Sequence, residues 1–219
     1  VSAGSSWYID NSPSQTLCNP ASGTCVSNPN RVDPNYPMSS SPQMVFVDGT
    51  PLKEVGSLAQ INGTSFYYDA TAKRMYIGAN PTSKTVEIAV KRRAFIVNAS
   101  GVTISGIGIR RYGSVENSAA SYFAGAMTNS GGINNVLFEN NAFTENASRG
   151  LYISPSSGVV VRGNLFVSNG MNGFHALSPN DLLFEKNTVQ LNNTERYSFM
   201  PGASNNIAGA LFICATSYV

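Results

Sequence analysis

The chain has 219 residues, 42% of them hydrophobic and 12% charged, with a formal net charge of +2. That length allows one large domain or two small ones with a core of useful size. The basic residues are scattered rather than gathered on one face, which argues against a nucleic-acid partner, and no run approaches the ~20 apolar residues of a membrane-spanning helix.

Charge is about half the usual globular share, so surface polarity falls to Asn, Ser and Thr. The sequence begins with Val and shows no signal peptide, and it reads as a mature or excised piece. Residues 1–43 are rich in Ser, Pro and Asn and predict irregular chain, with Trp7 and Tyr8 as apolar anchors. Cys18 and Cys25 flank a short loop where a local disulfide is plausible and would suit an exported protein. Two unrelated thiols remain the alternative. Cys214, in an apolar run, reads as a core thiol. Four glycosylation sequons, at Asn62, Asn98, Asn146 and Asn192, carry little weight in a chain so rich in Asn, Ser and Thr.

Residues 44–97 predict a small antiparallel β-module. Met44–Leu52 is a strand meeting an Asp48-Gly49 turn, Ser65–Asp69 and Arg74–Gly78 form a hairpin, and Thr85–Val90 alternates as a half-buried strand does.

From residue 98 to 219 a repeat takes over. Asn141, Asn164 and Asn187 are spaced by 23 (164 − 141 = 187 − 164 = 23), as are Asn146, Asn169 and Asn192. Phe138, Val161 and Phe184 fall in register, as do Phe143, Phe166 and Val189. A short fixed period of this kind, without helical patterning, predicts the stacked coils of a parallel β-helix. Each coil holds two short strands about a bend at the Asn, which tolerates the left-handed conformation and can hydrogen-bond up the column. Ile107 stands at that place in the first coil, so the ladder is expected to start one coil later. A third strand follows Gly125, Gly150, Gly173 and Gly209. Alternation places Leu151, Ile153, Phe174 and Ala176 inside and the row Met127, Tyr152, His175, Leu211 outside. Glu139, Arg162 and Glu185 form a surface ion-pair column of little energetic weight.

The coil pattern of residues 150–169, Gly-Leu-Tyr-Ile-Ser…Val-Val-Val-Arg-Gly-Asn-Leu-Phe-Val-Ser-Asn, and its neighbours resemble the right-handed parallel β-helix repeats of the pectin-lyase-like superfamily. The resemblance covers about residues 98–219 and implies an all-β, right-handed parallel β-helix with three strands per coil. Residues 44–97 resemble a β-insertion of some large bacterial members. The superfamily holds polysaccharide lyases, hydrolases and epimerases, and also adhesins, tailspikes and noncatalytic scaffolds, so the fold does not choose among activities. Members usually carry an amino-terminal cap and more coils, and Ala210–Val219 ends without a polar cap, so the chain is expected to be a monomer or part of a longer β-helix.

Coil lengths differ on one edge. Nine positions separate Asn141 from Gly150 (150 − 141 = 9), but 18 separate Ile107 from Gly125 (125 − 107 = 18) and 22 separate Asn187 from Gly209 (209 − 187 = 22). Long loops at 111–123 and 193–207 are thus expected to wall a groove floored by Tyr152 and His175, with Arg149 at its edge. Arg111-Tyr112 and Arg196-Tyr197 open the two walls. Tyr stacks on sugar faces and Arg grips a uronate carboxylate, so the expected partner is a polysaccharide or oligosaccharide. A metal-independent lyase would use Arg149 or Arg196 as the cation, His175 as base and Tyr152 as acid. The bland alternatives are a surface His and arginines that pin their own loops. A glycosidase needs two carboxylates across a cleft, with Glu145 and Glu195 the nearest candidates. No cofactor is expected, since phosphate-loop, zinc-spacing and nucleophile-elbow motifs are missing, as are the acid cluster of a calcium site and the Asp pairs and Asp-Pro-His signature of known superfamily enzymes. Two readings stand: a secreted or cell-surface carbohydrate-active protein, lyase or glycoside hydrolase, and a noncatalytic adhesin-like or carbohydrate-binding scaffold.

Overall fold

The computed structural model describes residues 2–3, 6–13, 36–39, 41–114, 124–129, 132–196 and 209–213. Cys18, Cys25, Cys214, Tyr197 and the outer parts of both long loops lie outside the described residues.

Three parallel sheets enclose the second half of the chain. The first stacks Thr103–Ser105, Leu137–Glu139, Val160–Arg162 and Leu183–Glu185, and the second stacks Gly108–Arg110, Ala142–Thr144, Leu165–Val167 and Thr188–Gln190. The third runs through Phe95–Val97, Ala124–Thr128, Arg149–Ile153, Phe174–Leu177 and Ala210–Ile213. Registers follow the repeat: Phe138 lies opposite Val161, which lies opposite Phe184, and Phe143 lies opposite Phe166, which lies opposite Val189. Phe95–Val97 already pairs in parallel with Ala126–Thr128, so the coils start a few residues before 98.

The lumen is filled by these columns together with Leu151, Ile153, Phe174 and Ala176. Phe143 and Phe166 stack at 5.0 Å with planes 9° apart. Gly150 and Gly173 are needed for close packing rather than for backbone freedom. A Cβ on Gly150 would come within 2.6 Å of the Gly173 carbonyl oxygen, and one on Gly173 within 2.7 Å of the Phe166 Cβ.

The Asn columns differ from expectation in one respect. The left-handed residues at the first bend are Asn140, Gly163 and Lys186, each one position before the repeating Asn. The Asn itself is spent on bonding. Asn141 N and Nδ2 donate to Asn164 Oδ1 at 2.9 and 3.0 Å, and Asn164 repeats this onto Asn187. A second ladder joins Asn146, Asn169 and Asn192 in the same way. Each Nδ2 also donates to a lumen-strand carbonyl one coil back, as Asn169 does to Phe143. Ile107 N donates to Asn141 Oδ1, so the first ladder begins one coil after Ile107 as expected. On the outer face Arg162 bonds Glu139 at 3.1 Å.

The amino-terminal part is antiparallel for the most part. Val45–Val47 turns through Asp48 and Gly49, both left-handed, into Thr50–Pro51, and pairs on its other side with Val86–Ile88. Ser65–Asp69 and Arg74–Ile77 form the expected hairpin, its turn held by Asp69 Oδ1, which accepts from the backbone N–H groups of Thr71 and Ala72. Ser6–Ile9, within the segment expected to be irregular, is a strand paired antiparallel with Arg74–Ile77. Trp7 carries it onto the module core of Val45, Phe66, Tyr68, Met75 and Ile77. The edge of this sheet is Lys53–Glu54, which runs parallel to Ser65–Phe66. Among the described residues no helix is long and apolar enough to cross a membrane.

Candidate functional site

The residues expected to share one groove separate into two places. Tyr152 and His175 are register partners on the third sheet, and their rings meet edge to face at 5.1 Å. The Arg149 guanidinium lies 5.8 Å from the Tyr152 ring. Alternation holds, because Leu151 and Phe174 point into the lumen while Tyr152 belongs to a separate cluster with Met127. Exposure does not follow. Tyr152 is 7% exposed, His175 6% and Arg149 3%. Met127 is buried too, with Arg93 Nη1 donating to its sulfur at 3.1 Å, and Leu177 packs on the cluster. The three residues expected to be catalytic thus converge, but as a covered cluster and not as an open floor. The sequence pattern decides which face a strand residue takes and says nothing of what lies over that face.

Arg111 is committed elsewhere. Its Nε donates to Glu145 at 2.7 Å, its Nη1 to Glu87 and its Nη2 to the Gly49 carbonyl at 3.2 Å, while the guanidinium stacks 4.0 Å from the Phe46 ring centroid. Glu87, Gly49 and Phe46 belong to the β-module and Glu145 to a coil, so Arg111 clamps one to the other. Tyr112 packs half-buried against the lumen core, and its N–H donates to Asn146 Oδ1. Neither side chain is presented as a free grip for a ligand.

Beside this clamp lies a cleft of about 910 Å³ between module and coils. Its lining includes Tyr36, Leu52, Lys53, Glu54, Glu195 and Arg196. Tyr36 is 37% exposed, with Lys53 Nζ and the Arg196 guanidinium each 5.6 Å from its ring centroid. Glu145 lines the same cleft, held by Arg111.

The two remaining acids arrive from different elements. Glu54 stands opposite Phe66 on the edge strand, where alternation turns Lys53 to solvent and Glu54 inward. Glu195 follows the last ladder Asn. Thr194 N donates to the Asn169 carbonyl and Glu195 N to the Gly170 carbonyl, which lays this segment on the turn of the coil below. A Cβ on Gly170 would sit 2.0 Å from the Ala147 carbonyl oxygen and 2.8 Å from Glu195 Cγ, so glycine makes room for the acid. Burial pushes the Glu54 carboxyl up to about 8, against a hydrogen bond from Ser41 that lowers it, and the Glu195 charge raises it further. Burial lifts Glu195 to about 7, with Lys53 pulling the other way. Glu195 keeps partial exposure as a residue, and Glu54 is the more deeply buried of the two.

Both acids also line a cavity of about 20 Å³ that opens beside the cleft, together with Gln43 and Phe66. Gln43 is 5% exposed, and among the described residues neither its Oε1 nor its Nε2 has a protein partner.

A family model described as a right-handed β-helix region matches residues 93–213, more than half of the chain. The chain belongs to the right-handed β-helix family. No match is found among curated proteins or solved structures. The family assignment covers the coils and the two Asn ladders, and Glu195 and Arg196 fall within the matched region. Glu54, Tyr36, Lys53 and Gln43 precede it, and they were not singled out in the sequence. They sit in segments without repeat register. The available signal was the alternation Leu52, Glu54 beside an exposed Lys53, which places an acid on a buried face.

Proposed function

We propose that this right-handed β-helix protein is an exported carbohydrate-active protein that binds an oligosaccharide segment of a polysaccharide in the cleft between its β-module and its coils. The observation that carries the reading is the lining of the cleft. An accessible Tyr36 ring offers a sugar face a stacking surface, and Leu52 with neighbouring apolar groups extends it. Lys53 and Arg196 beside the ring can hold hydroxyls or an acidic substituent. Glu54 and Glu195, neutral or half-neutral near pH 7, can both donate and accept hydrogen bonds, as a polyol requires. A volume of about 910 Å³ suits a few sugar rings. A surface that owes its polarity to Asn, Ser and Thr supports a place outside the cell.

Titration calorimetry against soluble xylan, polygalacturonate and alginate oligosaccharides tests this. Wild-type protein is expected to bind at least one of them. Tyr36→Ala should weaken that binding by about two- to tenfold, in line with the loss of one aromatic contact of roughly 0.5–1.5 kcal/mol, without lowering the melting point. Unchanged affinity in Tyr36→Ala would place the sugar elsewhere.

A further inference from the structure

We infer that Glu54 and Glu195 are the proton-handling pair of a glycoside hydrolase, acting on a glycosidic bond laid in the cleft, with the attacking water seated in the small cavity they share with Gln43. The inference rests on the binding reading above and adds chemistry to it.

Three observations meet at one place. Glu54 and Glu195 each line both the large cleft and the small cavity, so a sugar-sized space and a water-sized one adjoin at these two acids. A cavity of about 20 Å³ holds one water, provided polar partners are at hand. Gln43 supplies them: a buried amide with no protein partner for either atom among the described residues costs free energy unless a small polar molecule meets it.

Hydrolysis with a water on one side and a sugar on the other needs one protonated and one ionised carboxyl. The environment separates the two. Glu54 is the more deeply buried and faces the Glu195 charge, so it keeps its proton longer, while Glu195 faces Lys53 and ionises first. Glu54 then gives its proton to the glycosidic oxygen as the bond from the anomeric carbon to that oxygen breaks. Glu195 takes a proton from the water whose oxygen bonds to the anomeric carbon. One water is consumed and a new reducing end forms, and exchange with solvent returns the proton from Glu195 to Glu54. The other charged groups lining the cleft are Lys53, Arg196 and Glu145, the last paired with Arg111, which it shares with Glu87. Turnover should peak between about pH 7 and 8, falling below as Glu195 takes a proton and above as Glu54 loses one.

The test uses the full chain as wild type, Glu54→Gln, Glu195→Gln and Glu195→Ala with xylan, polygalacturonate and alginate, reading reducing ends, unsaturated-product absorbance and binding. Gln mimics the protonated acid, so both Gln variants should fold. The expected result is reducing ends without unsaturated product in wild type. Each Gln variant should lose about 10²–10⁴-fold in turnover with binding retained, and sodium azide should restore bond cleavage to Glu195→Ala, seen by mass spectrometry as a glycosyl azide rather than as a new reducing end. Binding without hydrolysis in wild type would overturn the catalytic assignment and leave the binding reading in place. Hydrolysis undiminished in the Gln variants, or unsaturated products, would also overturn it. Neither binding nor hydrolysis of any probe would remove both readings together.

Discussion

Two kinds of residue explain this chain, and they respond to change in opposite ways. The ladder asparagines are fully used. Asn169 donates to the Phe143 carbonyl at 2.9 Å and to Asn192 Oδ1, and accepts from the N–H and Nδ2 of Asn146, all of it buried. Asn169→Ala orphans several of these groups at about 1–3 kcal/mol each, so thermal unfolding should show a drop of several degrees or more. Asn187→Ala, at the half-exposed end of the other ladder, should lower the midpoint less, because water can serve the groups left behind. Equal effects would show that burial does not set the value of a rung. Glu54 is the opposite case, a residue whose charge the fold resists. Its carboxyl titrates near 4.5 in the unfolded chain and about 8 in the folded one. Between those values the folded state holds the extra proton, so stability is full below about pH 4.5 and is lost as pH rises toward 8. Glu195, raised to about 7, adds a decline of the same sign below about pH 7, so Glu54→Gln should reduce the decline in the melting temperature there and remove it between about pH 7 and 9. A decline of the same slope in the variant would assign it to another group.

At the scale of elements, the strands were largely legible and their surroundings were not. The 23-residue register located the coil strands, because each lumen position such as Phe138, Phe143 or Leu151 recurs at a fixed interval and a one-residue slip would invert every face. The Asp48-Gly49 turn and the hairpin at residues 65–77 were legible from turn chemistry. The bend conformation was misplaced by one residue, since Asn140, Gly163 and Lys186 share no residue type that the sequence could display as a column. Tyr152 and His175 took the expected face, yet what covers a face comes from outside the repeat. Arg111 shows the same limit: a loop-opening arginine can reach a ligand or fasten two elements, and only the positions of Glu87 and Glu145 decide it. Arg111→Met should lower the stability of the β-module on the coils by on the order of 1–3 kcal/mol, the value of hydrogen bonds to charged groups after allowance for their partial exposure. Hydrogen exchange should quicken in residues 44–54 and 86–88 and stay unchanged in the lumen strands. Uniform quickening would show that module and coils unfold as one unit.

For the whole molecule, the β-helix supplies one wall of a cleft and the β-module supplies the other. The sequence revealed the β-helix wall, because repetition is visible. It could not reveal that Glu54 and Tyr36, distant in sequence and outside any period, stand across from Glu195 and Arg196. That juxtaposition depends on how the edge strand Lys53–Glu54 meets the turn built on Gly170. The central claim is that this meeting place holds a sugar. A crystal structure of the full chain, soaked with whichever xylan, polygalacturonate or alginate oligosaccharide binds in solution, tests it most directly. The account predicts sugar density in the cleft, a ring stacked on Tyr36 and a glycosidic oxygen within hydrogen-bonding distance of Glu54. Density over the outer face of the third sheet, against Tyr152 and His175, would contradict it.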